Sequence, residues 1–118
     1  MAGSEKRKHK RLDSHFPLKY KDLRNEAAEF RGTVSKNVGA GGVRFRSDRF
    51  ISLACRLVVE INLPTIEKPI RAVSKIAWIK KLPTGDDYEV GNQFLEIARR
   101  DKESIQEYVE NQTENPLL

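Results

Sequence analysis

Two short stretches of this chain carry side chains whose types and spacing could do chemistry. The first is Lys6-Arg7-Lys8-His9-Lys10-Arg11, the densest run of charge in the sequence. Residues 1–11 hold five Lys/Arg against one acid, whereas residues 12–118 hold seventeen against sixteen. Of the formal net charge of +5, the leader therefore carries +4 and the rest +1. A pI near 9.5 thus describes a short arm that seeks an anion, not a basic surface spread over a domain. Arg7 and Arg11 each present a planar fork of donors that matches a phosphate or the paired acceptors of a guanine edge. The second stretch is Asn37-Val38-Gly39-Ala40-Gly41-Gly42. Its glycines read as a turn between antiparallel strands at which a ligand can approach backbone N–H groups closely. The Asn37 amide can donate or accept. Alone, a basic run is commonly a solvated tail and a glycine cluster a hairpin turn. Together they can close on one anion from two sides.

Patterns for bond-breaking chemistry are absent. No Ser or Cys nucleophile sits near a plausible His base, no carboxylate pair sits on a defined scaffold, and the glycine cluster is not followed by Lys-Ser/Thr as a phosphate loop would be. The sequence therefore does not read as an enzyme. Two His and one Cys, widely spaced, match no metal-ligand pattern, and no cofactor is expected. The lone Cys55 excludes an internal disulfide and suits a reducing cytosol. Apolar runs are too short for a membrane span, and the basic N-terminus has no apolar segment behind it, so no secretory signal is expected. The expected location is cytoplasmic.

The elements that must position these groups follow from periodicity. The 118 residues fit one domain with a real core, burying on the order of 65% of the unfolded surface. Residues 1–15 lack apolar periodicity and read as a flexible arm. From residue 16 the pattern is that of strands. Leu18 and Tyr20 alternate with Lys19 and Lys21. Ala28, Phe30, Gly32 and Val34 then alternate with Glu29, Arg31, Thr33 and Ser35, with the first set expected inward. Beyond the glycine turn, Val43 and Phe45 face inward between Arg44 and Arg46. Leu57, Val59, Ile61 and Leu63 form a fourth strand that stops at Pro64. Residues 70–79 form a fifth, and Tyr88, Val90 and Phe94 mark a sixth ending near Ile97. The period then becomes helical through Ile97, Asp101, Ile105, Tyr108 and Val109, with Asp101 a plausible N-terminal residue. This predicts an all-β-dominated fold: a six-stranded antiparallel barrel over 16–112, closed by a C-terminal α-helix, with a basic arm over 1–15 and a disordered tail over 113–118.

Both motifs, in this order and before this strand pattern, resemble the PilZ domain, a family of bacterial cyclic di-GMP receptors. Arg7-Lys8-His9-Lys10-Arg11 is similar to its Arg-x-x-x-Arg motif. Asn37 to Gly42 is similar to its Asp/Asn-x-Ser-x-x-Gly motif, with Gly39 in place of the Ser. Lys75 to Ile79 and Tyr88 to Ile97 also look like the family, although Asn92 stands where an apolar residue is more usual. The resemblance covers about residues 5–112. It implies a PilZ-type barrel and cyclic di-GMP contacts from Arg7, Arg11, Asn37, Gly39 and Gly42. Lys6 is a further candidate, since the residue before the first motif Arg is associated in the family with one ligand or a stacked pair. Trp78 could offer guanine a stacking face. Loss of the Ser hydroxyl removes about 0.5–1.5 kcal/mol, so binding is expected to weaken by around tenfold rather than vanish. The implied role is a receptor whose arm changes conformation on binding and signals to a protein partner. The alternatives are an adaptor on the same fold that no longer binds nucleotide, motivated by Gly39, and a small nucleic-acid-binding barrel. The latter is disfavoured because the strands interleave no aromatic and basic residues into a stacking platform.

Overall fold

The computed structural model describes residues 11–114. Lys6, Arg7 and the rest of residues 1–10, and residues 115–118, lie outside them, together with the expectations placed there. Seven strands and one helix follow in order: β1 Arg11–Asp13, β2 Pro17–Asp22, β3 Arg31–Gly39, β4 Gly42–Ser47, β5 Arg56–Ile61, β6 Ile70–Lys81, β7 Tyr88–Ile97 and α1 Arg99–Glu114. The sheet runs β1-β3-β2-β5-β6-β7-β4, and β4 returns to pair with β3. All pairings are antiparallel. The expected six-stranded barrel is therefore closed, and β1 is one strand more.

The alternation read from the sequence sets the core along most of the wall. Val43, Phe45, Val59, Ile61, Ile70 and Val90 are all fully buried. Tyr20 stacks on Phe45 with ring centroids 4.7 Å apart. Each such side chain contributes about 1.5–3 kcal/mol through removal from water. The helix covers this core with one face, burying Ile105, Tyr108 and Val109 at the three-and-four spacing expected of it. Ile97 is not on that face: it ends β7 opposite Ala72. Asp101 lies in the first helical turn, where the helix dipole favours an anion.

The second predicted strand departs from expectation in start and phase. β3 begins at Arg31, not Ala28, and Gly32 and Val34 face solvent, Val34 being 51% exposed. The inward set is Thr33 and Ser35. Gly and Val in a polar frame gave the apolar phase by count, but the register with β2 places Gly32 beside Lys19 on the outer wall. The phase changes again within the strand. Lys36 is an extra residue relative to β4, since Ser35 pairs with Phe45 and Asn37 with Arg44. This bulge leaves Ser35 inside, puts Asn37 on the outer face beside Arg44, and returns Val38 to the core.

The leader is held where β2 leaves β3. Beyond Val34, β2 no longer reaches the β3 edge, and an open edge leaves backbone donors and acceptors unpaired. Arg11, Leu12 and Asp13 fill that edge opposite Gly39, Val38 and Asn37. Between the two strands the Ser35 hydroxyl bridges the break: it donates to the Ser14 carbonyl and accepts from Phe16 N at 3.0 Å. Ser35 is fully buried, so Ser35→Ala leaves a buried N–H and a part-buried C=O without this partner. The substitution is expected to destabilise the fold by about 1–3 kcal/mol, measured as a lower urea midpoint with an unchanged slope.

Candidate functional site

The site is assembled on the outer wall by two bulges. The first, at Lys36, turns Asn37 outward. The second is Ala77 on β6: Ile76 pairs with Asn92 and Trp78 with Gly91. It keeps Ile76 and Ile79 toward the core and turns Trp78 out. Because Arg44 pairs with both Asn37 and Gly91, four strands contribute one row across the wall: Asn37, Arg44, Gly91 and Trp78. Gly39 and Gly42 flank the two-residue turn Ala40-Gly41 at the end of β3 and β4. Arg11 enters from β1, opposite Gly39. Together with Gln93, Phe94, Leu95 and Lys102 these residues line an open cleft of about 1000 Å³.

The glycines earn their places by close packing. A Cβ on Gly91 would enter the indole of Trp78, so its absence lets the ring lie across β7 toward Arg44. A Cβ on Gly42 would strike the backbone oxygen of Asn92. Gly42 is thus required by the fit of β4 against β7, whatever else the turn does. The positive φ among the described glycines belongs to Gly85, at 69°, in the turn between β6 and β7.

The cleft offers donors and an aromatic face. Arg11 Nη1 donates to Asn37 Oδ1 at 2.7 Å, so the two motifs are already joined by a charge-assisted hydrogen bond. The Arg44 guanidinium lies 5.9 Å from the Trp78 ring centroid, within cation–π range. Arg44 Nε is buried, makes no hydrogen bond, and has Glu89 Oε2 3.9 Å away. A buried N–H without a hydrogen bond costs roughly 1–3 kcal/mol, offset in part here by the Glu89 carboxylate beside it. Trp78 is 38% exposed, leaving much of one face open. Lys102 adds a cation from α1. No His/Cys/Asp/Glu group suited to a metal occurs among the described residues. The arrangement can grip an anion and stack a planar ring.

Of the residues singled out in the sequence, Arg11, Asn37, Gly39, Gly42 and Trp78 meet in this cleft. Arg44, Gly91 and Lys102 were not singled out. Arg44 could have been found only by knowing the bulge that pairs it with Asn37. Asn92, set apart as a departure from an apolar position, is 2% exposed and faces the barrel interior beside Ile76 and Val43. Its Oδ1 accepts from Ser74 Oγ at 3.0 Å, which explains how a polar residue is tolerated there.

The chain has one tryptophan, so its fluorescence reports on this site alone. Gly91→Ala is expected to drive the indole off β7 and shift its emission to the red, while far-ultraviolet circular dichroism keeps its barrel signature. Unchanged emission would contradict the packing described.

Comparison with known proteins agrees with the fold. The family model described as PilZ domain matches residues 5–111. No curated protein sequence matches the chain. Among solved structures, the Bacillus subtilis inhibitor of motility (MotI/DgrA) superposes with a TM-score of 0.82 at 20% identity, covering 97% of this chain and 54% of that one. The PilZ domain of Escherichia coli YcgR with c-di-GMP gives a TM-score of 0.70 at 10% identity, covering 93% of each chain. The K. pneumonia MrkH–c-di-GMP complex gives 0.65 at 16% identity, covering 92% of this chain and 52% of that one. The chain thus spans about half the length of the MotI/DgrA and MrkH chains. At these identities the likeness concerns the fold.

Proposed function

This chain belongs to the PilZ domain family, and from that premise we propose that it is a cyclic di-GMP receptor that signals to a protein partner and catalyses nothing. The observation that carries the reading is the outer-wall cleft in which Arg11, Asn37, Gly39, Gly42 and Trp78 converge beside the unsatisfied Arg44 Nε. Cyclic di-GMP is rich in acceptors, with two phosphates and the O6/N7 edges of two guanines. Arg7 and Arg11 are assigned to these acceptors, Asn37 to a guanine edge, the Gly39–Gly42 turn to close backbone approach, and Trp78 to a guanine face. Arg44 joins this set through its terminal guanidinium nitrogens, its Nε being buried beside Glu89. Lys6 is assigned to the phosphates.

The free protein supplies a starting state for a conformational change. Asn37 Oδ1 is taken by Arg11, so a ligand that needs this oxygen, or the Nη1 donor that faces it, must open this bond. Opening it frees the Arg11 and Asn37 side chains for the nucleotide while β1 stays paired with β3, and the residues ahead of β1 then wrap the ligand and become a new surface for the partner. Of the arm over 1–15, the residues ahead of β1 are thereby assigned the moving part, and the barrel over 16–112 the fixed one. Gly39, in place of a hydroxyl, sets affinity without removing the site. The cytoplasm is the compartment in which such a ligand and the free thiol of Cys55 would coexist.

Calorimetric titration with cyclic di-GMP tests this. Wild type is expected to bind with an affinity that falls steeply with salt. Arg7→Ala/Arg11→Ala is expected to lose about 1–3 kcal/mol for each bidentate contact removed, a tenfold to hundredfold loss or more. Equal affinity in both proteins rejects the assignment. No heat and no amide shifts at millimolar nucleotide would favour the adaptor that has lost its ligand.

A further inference from the structure

We propose that the outer wall of β2, β5 and β6 is a docking surface for an acidic segment of a partner protein that also carries aliphatic side chains. Three rows cross this wall. Lys19 faces Glu60, which faces Arg71; Lys21 faces Val58, which faces Val73; and Arg56 faces Lys75. Directly opposed like charges destabilise a sheet, yet no ion pair of Arg56 or Lys75 occurs among the described residues. Glu60 already serves two cations, Lys19 at 3.6 Å and Arg71 at 2.5 Å. Lys19, Lys21 and Arg71 crowd the Phe30 ring at 5.0, 5.2 and 5.8 Å from its centroid. Five cations therefore share the wall with two carboxylates, Glu60 and Glu96, although residues 12–118 carry only +1 in all.

Between the charges lies an apolar floor. A groove of about 490 Å³ is lined by Leu23, Val58 and Val73, with Arg71 and Glu96 at its sides. Leu23 is 40% exposed. An aliphatic floor edged by Arg71 and Glu96, with Lys21, Arg56 and Lys75 in the rows beside it, fits a peptide that alternates carboxylates with Leu or Val. Nucleic acid would want an open aromatic face, and the Phe30 ring is taken by three cations. A bilayer would want several exposed large apolar side chains, and of those lining this groove Leu23 alone is one.

The wall adjoins the nucleotide cleft, because Lys75 pairs with Gln93 and Gln93 lines the cleft. The proposal deepens the receptor reading by naming the partner's chemistry, and it rests on that reading only for its signalling role. The two fail separately.

The test uses the whole chain and a synthetic octapeptide alternating Glu/Asp with Leu/Val, followed by amide shifts. Shifts are expected at Val58, Val73 and Lys75. Arg56→Glu is expected to weaken the peptide roughly tenfold, to raise the melting midpoint because a carboxylate then faces Lys75, and to leave the calorimetric cyclic di-GMP titration unchanged. Lys21→Gln, which reverses no charge, is expected to weaken the peptide less and in the same direction. The proposal is overturned by wall amides that do not move, or by shifts that survive Arg56→Glu. A lower melting midpoint for Arg56→Glu also overturns it. So does equal or tighter binding at these residues by oligoglutamate, an RNA oligonucleotide or anionic vesicles. Failure of wild type to bind cyclic di-GMP, with peptide binding intact, rejects the receptor reading and leaves this surface standing.

Discussion

In a closed barrel every strand position belongs either to the core or to the surface, and the side-chain period of two decides which. A binding site on the outside therefore has to be written into the wall without disturbing the inside. Here the solution is the inserted residue. Lys36 on β3 and Ala77 on β6 each break the alternation once. Val38 and Ile79 fall back toward the core one residue later than strict alternation would place them, and Asn37 and Trp78 stay out. Without these two insertions the row of Asn37, Arg44, Gly91 and Trp78 would not exist on one face. A third insertion, Leu95 on β7, lies at the far side of the same cleft. Asn37 and Trp78 of the candidate site thus lie where the ladder is irregular, while Arg44 and Gly91 face the same way by regular alternation.

The same reasoning explains what could be read in advance. Strands with clean alternation, such as Leu57-Val59-Ile61 and Val43-Phe45, were legible because burial selects one phase and nothing interrupts it. The barrel and its closing helix followed from these, as did the family, from two motifs and their order. β3 was not legible. Ser35 is fully buried because it bonds the backbone of Ser14 and Phe16, a long-range demand invisible in a local pattern. Val34 is exposed for the complementary reason: the register with β2 fixes its face. The three residues of β1 were hidden too, since a leader without periodicity gives no sign that it completes an edge left by another strand.

Arg44 and Asn92 mark two further limits of local reading. Both are polar in strands, and both keep a buried nitrogen without a hydrogen bond. By register one faces the cleft and the other the barrel interior, so one can meet a ligand and the other is held by Ser74. Composition treats them alike; the pleat separates them.

The bond between Ser14 Oγ and Tyr108 OH, 2.7 Å long, ties the segment just after β1 to the last turns of α1. Tyr108 also meets Phe16 edge-on at 6.4 Å. The leader and the helix thus share one mechanical joint, although 94 positions separate the two hydroxyls in the chain. A displacement of this segment therefore either breaks that hydroxyl pair or moves Tyr108, so the helix that caps the barrel and the strand that enters it share one point of strain.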